Sequence, residues 1–556
     1  MSAKDPKLQA IFAHLDDRDE WLRARAAGLE RPLLLNLLRA IDVAGYVRAH
    51  DPGRVVPGMP GYLDVGWMGA AHAIQLLAPA GMQGPGNVWH LPQPEQLAWA
   101  TSFLYRAGLV VHLRRLAELV RYGLADAEVI GDHSVRFLIR ARDREAIDRE
   151  AIDWYAGHVG ALDAPVLKGF RDRYDAPVRA ELAARVSADP MFGIRYSSSR
   201  ELEECFEFEA ELRARTLPGH DALPFDAKLG PLTFGEYRTA VVTGMARSLK
   251  HVAFVEALLA RDPSTPRAVL TIHSHERKLK DEWGGLLGLD DAHSGVLLDV
   301  MGMTPKDIPE LRKAWDCPQA LIVRAGDVFW QQPVFGGLNN PFTWVTRKLR
   351  RTFRSDWDRA VNGREATFRE DLRIVFYEPL FWFAPTTLKL RGSGGVKTDI
   401  DAIVIDRVSG TMAVFQLKWQ DAFENSLTER ESRRRNLAAE GNAWIETVLS
   451  HCHGCSPGEA ARRIGVPVAE AASVKTMRLF ILTRNAAQFS GPADQDRRAA
   501  WLSWYDMLRR CNRARREPDP LSTAWRSGRR RGAEKPDRSA QVFEVDGIRV
   551  ESIEAT

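Results

Sequence analysis

The sequence predicts a mainly helical N-terminal region followed by an α/β unit with a central mixed sheet. Three observations lead there. Up to about residue 340, apolar side chains recur at helical spacing, as in 95–123, 201–216 and 234–261. After about residue 345 short β-prone runs appear at 397–406, 411–419 and 477–484, alternating with helical stretches at 353–377, 426–451 and 494–516. That order, helix, strand, strand, helix, strand, helix, suits a sheet covered by helices. The 556 residues leave room for two to four domains. A Pro/Gly-rich break at 78–94 marks a loop or a joint between subdomains, and a second at 329–344 marks the main boundary, near residue 340.

Composition narrows the class. Hydrophobic residues make up 45% and charged residues 27%, the balance of a globular chain. No apolar run reaches the length of a membrane span, and Asp16-Asp17-Arg18-Asp19 stand where a signal peptide needs an apolar core. A cytoplasmic protein without membrane contact is expected. Five scattered cysteines form no disulfide framework. The net charge is only +4, but it divides unevenly: residues 341–556 carry about +9 and the remainder about −5. Arginines cluster at 347–354, 433–435, 509–516 and 526–535.

The most informative stretch is 398–420. Two β-prone runs flank Arg407-Val408-Ser409-Gly410, a turn-like tetrapeptide ending in glycine, so a hairpin is expected. Side chains alternate along a strand. Symmetric pairing about residues 407–410 sets Asp401 opposite Gln416 and Asp399 opposite Lys418 on one face, with Phe415, Leu417 and Trp419 on the other. Two carboxylates, an amide oxygen and an ammonium on an apolar face need partners, because burying unpaired charge costs several kcal/mol or more. An Asp399–Lys418 ion pair is the bland solution. A cation site is the chemical one, since carboxylate and carbonyl oxygens are hard ligands suited to Mg²⁺ or Mn²⁺.

Asp401 followed by Gln416-Leu417-Lys418 on the two arms of a hairpin resembles the D…(D/E/Q)xK signature of the PD-(D/E)xK nuclease superfamily. GSGGVKTDIDAIVID is similar to that superfamily's entry into its second core strand, and MRLFILTRN to its third. The resemblance covers roughly residues 345–510. It implies a restriction-endonuclease-like fold and a Mg²⁺-dependent endonuclease acting on phosphodiester bonds, in DNA rather than RNA. Asp401 would be the main metal carboxylate, Gln416 and the Leu417 carbonyl further oxygen ligands, and Lys418 the group that positions water. Gln416 departs from the more usual Glu or Asp, which keeps open a catalytically decayed nucleic-acid-binding or scaffold protein. An RNA-directed nuclease is a third alternative.

Superfamily members often add a glutamate from the first core helix. Helical phase places Glu365, rather than Glu370, within or beside the apolar stripe of Trp357, Val361, Phe368, Leu372 and Val375. A first-turn acid is the plain alternative for Glu365. Arg433, Arg434, Arg435, Arg509 and Arg510 are expected to track phosphates. Residues 1–340 would regulate, sense or recruit through a protein partner or a second copy, by analogy with defence nucleases that infection releases. His451-Cys452-His453-Gly454-Cys455 lacks the second ligand pair of a zinc site, and His273-Ser274-His275 lacks a completing carboxylate.

Overall fold

The computed structural model describes residues 6–50, 62–85, 89–131, 134–139, 145–162, 177–311, 320–392, 395–422, 426–489, 495–514, 516–529, 541–545 and 547–554. Residues 530–535 of the last arginine cluster, Cys317 and the Ser393-Gly394 entry to the hairpin lie outside them.

The N-terminal region is mainly helical. Pro6–Ala26, Glu30–His50, Tyr62–Leu77, Pro94–Arg121, Arg200–Thr216 and Phe234–Arg261 are its long helices packed on the main core. The last of these starts on a capping box: Thr233 accepts from the Glu236 amide, and the Glu236 carboxylate takes the Thr233 amide. Leu34 and Ile74, before the 78–94 break, share one apolar core with Phe103 and Leu104 after it. The break is therefore a loop rather than a joint between subdomains. The same core reaches Trp344, Leu349 and Trp357, so the helix Pro341–Thr352 packs with the N-terminal region despite following residue 340.

Near the C-terminus two strands turn back to the N-terminal region. Gln541–Val545 and Ile548–Glu554 join Ala125–Gly131 and Ser134–Ile139 in one four-stranded sheet. Ile548–Glu554 runs parallel to Ser134–Ile139. Proximity along the chain could not reveal this pairing.

The second unit is α/β. We label its strands β1 (Phe381–Phe383), β2 (Ala402–Asp406), β3 (Thr411–Lys418), β4 (Thr476–Thr483) and β5 (Ala499–Ser503), and they form a sheet in the order β1-β2-β3-β4-β5. The first two pairings are antiparallel and the last two parallel. Helices α1 (Glu145–Leu162), α2 (Arg364–Val375), α3 (Leu427–His451), α4 (Trp504–Arg513) and α5 (Pro520–Arg529) pack against it, with the shorter Pro457–Ile464 beside α3.

Side-chain alternation sorts the sheet into two apolar layers. Ile403, Ile405, Met412, Val414 and Ile481 meet Leu437, Trp444, Ile445 and Val448 of α3. Val404, Phe415, Leu417, Phe480 and Leu502 meet Phe368 and Leu372 of α2, Tyr505 and Met507 of α4, and Ala151 of α1. Both faces are covered, which is why β2 reads as an unbroken apolar run.

Three expectations change. The 494–516 stretch is strand β5 followed by α4, rather than one helix. The 353–377 helix breaks into Arg354–Ala360, a 3₁₀ turn at Val361–Gly363, and α2. The 397–406 run divides at Asp401: Gly395–Ile400 pairs with Leu388–Gly392 in a separate hairpin, while β2 enters the main sheet.

Helix α1 ties the two regions together. Its Asp148 is buried and accepts from the amides of Ala487 (2.9 Å) and Gln488 (2.8 Å). A second tie is Arg484, just past β4. Its buried guanidinium pairs with Asp371 of α2 at 2.7 Å and with Asp221 of the N-terminal region. It also lies 4.6 Å from the Trp419 ring and 5.4 Å from those of Phe368 and Trp504. Replacing it leaves two crowded carboxylates without their cation. Arg484→Met is expected to lose about 3–5 kcal/mol in urea unfolding, and adding Asp221→Asn and Asp371→Asn should restore most of it. A loss below about 1 kcal/mol would show the cluster to be dispensable.

Candidate active site

The turn between β2 and β3 sets the register. Asp406 Oδ1 accepts from the amides of Val408 (2.9 Å) and Ser409 (3.3 Å). Gly410 then adopts φ 76°, a left-handed conformation in which an added Cβ would also meet the Ser473 carbonyl oxygen at 2.6 Å. Residues 407–410 form the loop, as the sequence indicates, and Ala402 pairs with Phe415. The Asp401 amide donates to the Phe415 carbonyl at 3.1 Å, which places Asp401 across from Gln416. Gln416 and Lys418 alternate with Phe415 and Leu417, so they share the α3 face with Val414.

Asp401 is the most constrained member. It is buried, and its Oδ2 accepts from Gln416 Nε2 (2.6 Å) and from the Leu417 amide (2.7 Å). Its carbonyl accepts from Arg369 Nε at 3.0 Å, and the same guanidinium reaches the Ala384 carbonyl, which hooks α2 onto the strand break. Burial pushes the Asp401 carboxyl up to about 6; the Leu417 amide and Lys418 oppose this, while Glu365 and Asp399 add to it.

Lys418 has a different partner from the one expected. Asp399 sits on the separate hairpin, in register with Lys389, and its carbonyl accepts from Trp444 Nε1 at 2.8 Å. The Lys418 ammonium instead lies 3.0 Å from Glu440 of α3. Sequence reasoning missed Glu440, although the signal was present. One turn separates it from Leu437 and from Trp444, on the edge of the stripe that α3 buries.

Glu365 is brought to the same mouth, but it is exposed rather than part of the buried stripe of Phe368 and Leu372. It is also a first-turn acid of α2. Desolvation by the surrounding walls still raises its carboxyl; Lys418 counteracts this, and Glu440 and Asp399 reinforce it. Glu370 points away and pairs with Arg373 at 2.7 Å.

The donor set holds one carboxylate and two neutral oxygens rather than a cluster of acids. Among the described residues no three His, Cys, Asp or Glu side chains group closely enough to hold a metal ion. The oxygens available are the Asp401 carboxylate, with Oδ1 unbonded among the described residues, the Gln416 amide oxygen and the Leu417 carbonyl. These are hard ligands beside a carboxyl that burial leaves short of positive charge, and they fit Mg²⁺ or Mn²⁺.

The expected phosphate-tracking arginines are largely engaged within the molecule. Arg509 is buried between Asp506 (2.7 Å) and Glu150 (3.2 Å), and Arg510 holds the other Asp506 oxygen at 2.8 Å. Both are thus held by acids of this chain. Arg434 and Arg435 bind Glu431 at 2.6 and 2.7 Å, and Arg433 donates to the Asp421 carbonyl. Arg435 still presents most of its side chain to solvent. His275 caps a helix by accepting from the Arg277 amide, and His273 stacks on Phe329. Cys452 is buried in the α3 layer.

No family model, curated protein or solved structure matches the chain. Among the described residues no helix is long and apolar enough to cross a membrane.

Raising the Asp401 carboxyl means that the folded state holds its proton more tightly than the unfolded state does. That group costs no stability below its ordinary 3.8, and an increasing amount as pH rises from there to about 6. Asp401→Asn keeps the neutral form at every pH, with an oxygen still able to accept both N–H groups. The variant should gain about 1–3 kcal/mol over wild type at neutral pH, and the gain should vanish in acid. Thermal melts across pH test this; a variant less stable at neutral pH than in acid, relative to wild type, would refute it.

Proposed function

We propose that the α/β unit is a metal-dependent endonuclease of restriction-endonuclease-like fold that hydrolyses phosphodiester bonds, in DNA by preference. The observation that carries this reading is the meeting of Asp401, Gln416 and Lys418 on one face of the β2–β3 hairpin, with Glu365 and Glu440 at the mouth.

Each residue then has a task. Asp401, Gln416 and the Leu417 carbonyl would hold Mg²⁺ or Mn²⁺, with Glu365 beside them. Such an ion, when bound, acts as a Lewis acid that offsets the charge developing on phosphorus. Lys418 orients the attacking water and adds positive charge where the transition state gains negative charge. Glu440 limits the swing of the Lys418 side chain. Arg369 fixes the Asp401 backbone, so the carboxylate does not follow the movements of the outer hairpin. Asp401 must lose its proton to serve, so activity should fall as pH drops below about 6.

One observation favours a non-catalytic alternative. The Gln416 amide already satisfies Asp401, so the pair is stable without a cation. In that reading the protein binds nucleic acid or serves as a scaffold. Residues 1–340 would restrain or trigger the unit in either case, as in an anti-phage effector. Asp221 reaching Arg484 gives them a physical route to the site.

Cleavage of DNA and RNA with Mg²⁺ or Mn²⁺ separates these readings. Asp401→Ala and Lys418→Ala should each reduce cleavage by at least about 10²-fold. Equal cleavage by all three proteins would remove the site assignment. Absence of cleavage on every substrate, with salt-sensitive binding retained, would establish the binding reading.

A further inference from the structure

Immediately beyond Lys418 the chain lines a cleft of about 780 Å³ that continues from Glu365 and Trp419. Its wall holds three guanidinium groups, Arg350, Arg364 and Arg433. The acids around it are unevenly shared. Asp358 is bound by Arg354 at 2.8 Å and Glu429 by Arg347 at 2.9 Å, while Glu365, which also lines the cleft, feels the charge of Lys418. Asp421 therefore answers all three arginines. Its Oδ1 accepts from Arg364 (2.6 Å), its Oδ2 from Arg350 (3.0 Å) and its carbonyl from Arg433.

Arg364 is incompletely satisfied. Only 4% of it is exposed, yet among the described residues its Nε and Nη2 have no hydrogen-bond partner. A guanidinium brings five N–H donors in a planar fork, and leaving buried donors unpaired is costly. The Trp357 ring, 5.1 Å from the guanidinium carbon, offers a π-face but no acceptor lone pair. Burial lowers the proton affinity of Arg364 and Arg433; Asp421 opposes this at both, with Asp221 at Arg364 and Glu429 at Arg433, and Arg350 lowers both further. Asp421 leaves two buried donors of Arg364 unanswered among the described residues.

We propose that this cleft is a phosphate-binding subsite for the nucleic-acid strand, in which a backbone phosphate next to the scissile one replaces Asp421 between Arg364 and Arg350. The proposal rests on the nuclease reading for the identity of the strand. The chemistry is that of the contact already present. Two carboxylate oxygens bridge two arginines, and the two free oxygens of a phosphodiester can do the same. With the Asp421 carboxylate displaced, the closed edge of Arg364 becomes available to a ligand with more lone pairs. Arg350, with 46% of its side chain exposed, is the arm that first meets the strand. The position also fits: Arg364 directly precedes Glu365, and only Trp419 and Gln420 lie between Lys418 and Asp421.

The test measures binding of a fluorescein-labelled single-stranded oligonucleotide by anisotropy, in EDTA and over a salt series. Arg350→Ala should weaken binding about tenfold and reduce the slope of log K against log salt by about one. Asp421→Asn, which removes the competing charge, should tighten binding. Arg364→Lys keeps the charge but loses the fork, and should weaken binding while circular dichroism remains unchanged. Inorganic phosphate should compete with the oligonucleotide for wild type and less well for Arg350→Ala. Unchanged oligonucleotide affinity and salt slope in Arg350→Ala would overturn the proposal. If inorganic phosphate alone were sensitive to Arg350, the cleft would serve a free phosphoryl ligand and the strand assignment would fall. Because no metal is present, the outcome is separate from cleavage. Arg350-dependent binding without any cleavage would count against the nuclease and leave the subsite standing. Cleavage with Arg350-independent binding would do the reverse.

Discussion

The pairing of Ala402 with Phe415 is the constraint on which the second unit depends. A strand repeats every two residues, so a slip of β3 by one position would turn Gln416 and Lys418 into the layer of Phe368 and Leu372 and bring Phe415 and Leu417 round to the side of Asp401. The unit would then bury two polar groups among aromatic rings and separate Asp401 from its Gln416 partner. Neither layer could form. The turn that enforces the register is short and over-determined: Asp406 accepts from two amides within it, and Gly410 closes it where a side chain would collide. The chemistry of the site and the packing of the sheet are thus fixed by the same four residues, 407–410.

Arg484 carries the next level of organisation. Its amide donates to the Lys418 carbonyl at 2.9 Å, and its side chain gathers Asp371, Asp221, Trp419 and Trp504. The end of β3, helix α2, helix α4 and the N-terminal region therefore meet at one cation. Asp148 repeats the arrangement from α1 by occupying the amides that follow Arg484. A shift of the N-terminal region would be felt first at these contacts, two or three side chains from Lys418.

What was legible in the sequence follows from what is local. The loop 407–410, the face shared by Asp401, Gln416 and Lys418, and the apolar stripe of Phe368 and Leu372 all follow from strand or helix periodicity. Strand β5 was not legible. Ala499–Ser503 is buried on both faces, has no alternation, and runs directly into the amphipathic α4. Arg509 and Arg510 looked like surface charge because Asp506, the acid that holds them, is one turn away and gives no sign of being buried. Extending one strand through Asp401 pairs Asp399 with Lys418, but the chain changes sheets at that residue. Glu440 is signalled only by its place beside Leu437 and Trp444 on the apolar face of α3, a helix whose charge pattern is dominated by Arg433, Arg434 and Arg435.

The parallel pairing of Ile548–Glu554 with Ser134–Ile139 has a consequence for how the chain is made. Arg136 and Glu551 bond across 415 residues. During synthesis the hairpin of Ala125–Gly131 and Ser134–Ile139 emerges early and presents an open edge, with unpaired amides and carbonyls, until its partner strand is translated. The helices and the five-stranded sheet are made in that interval, so they can fold before the edge is closed. Loop closure over such a span is entropically demanding and slow relative to local helix formation. Closing this small sheet is therefore a late event in assembly, and it joins the N-terminal region to the far end of the unit that it borders.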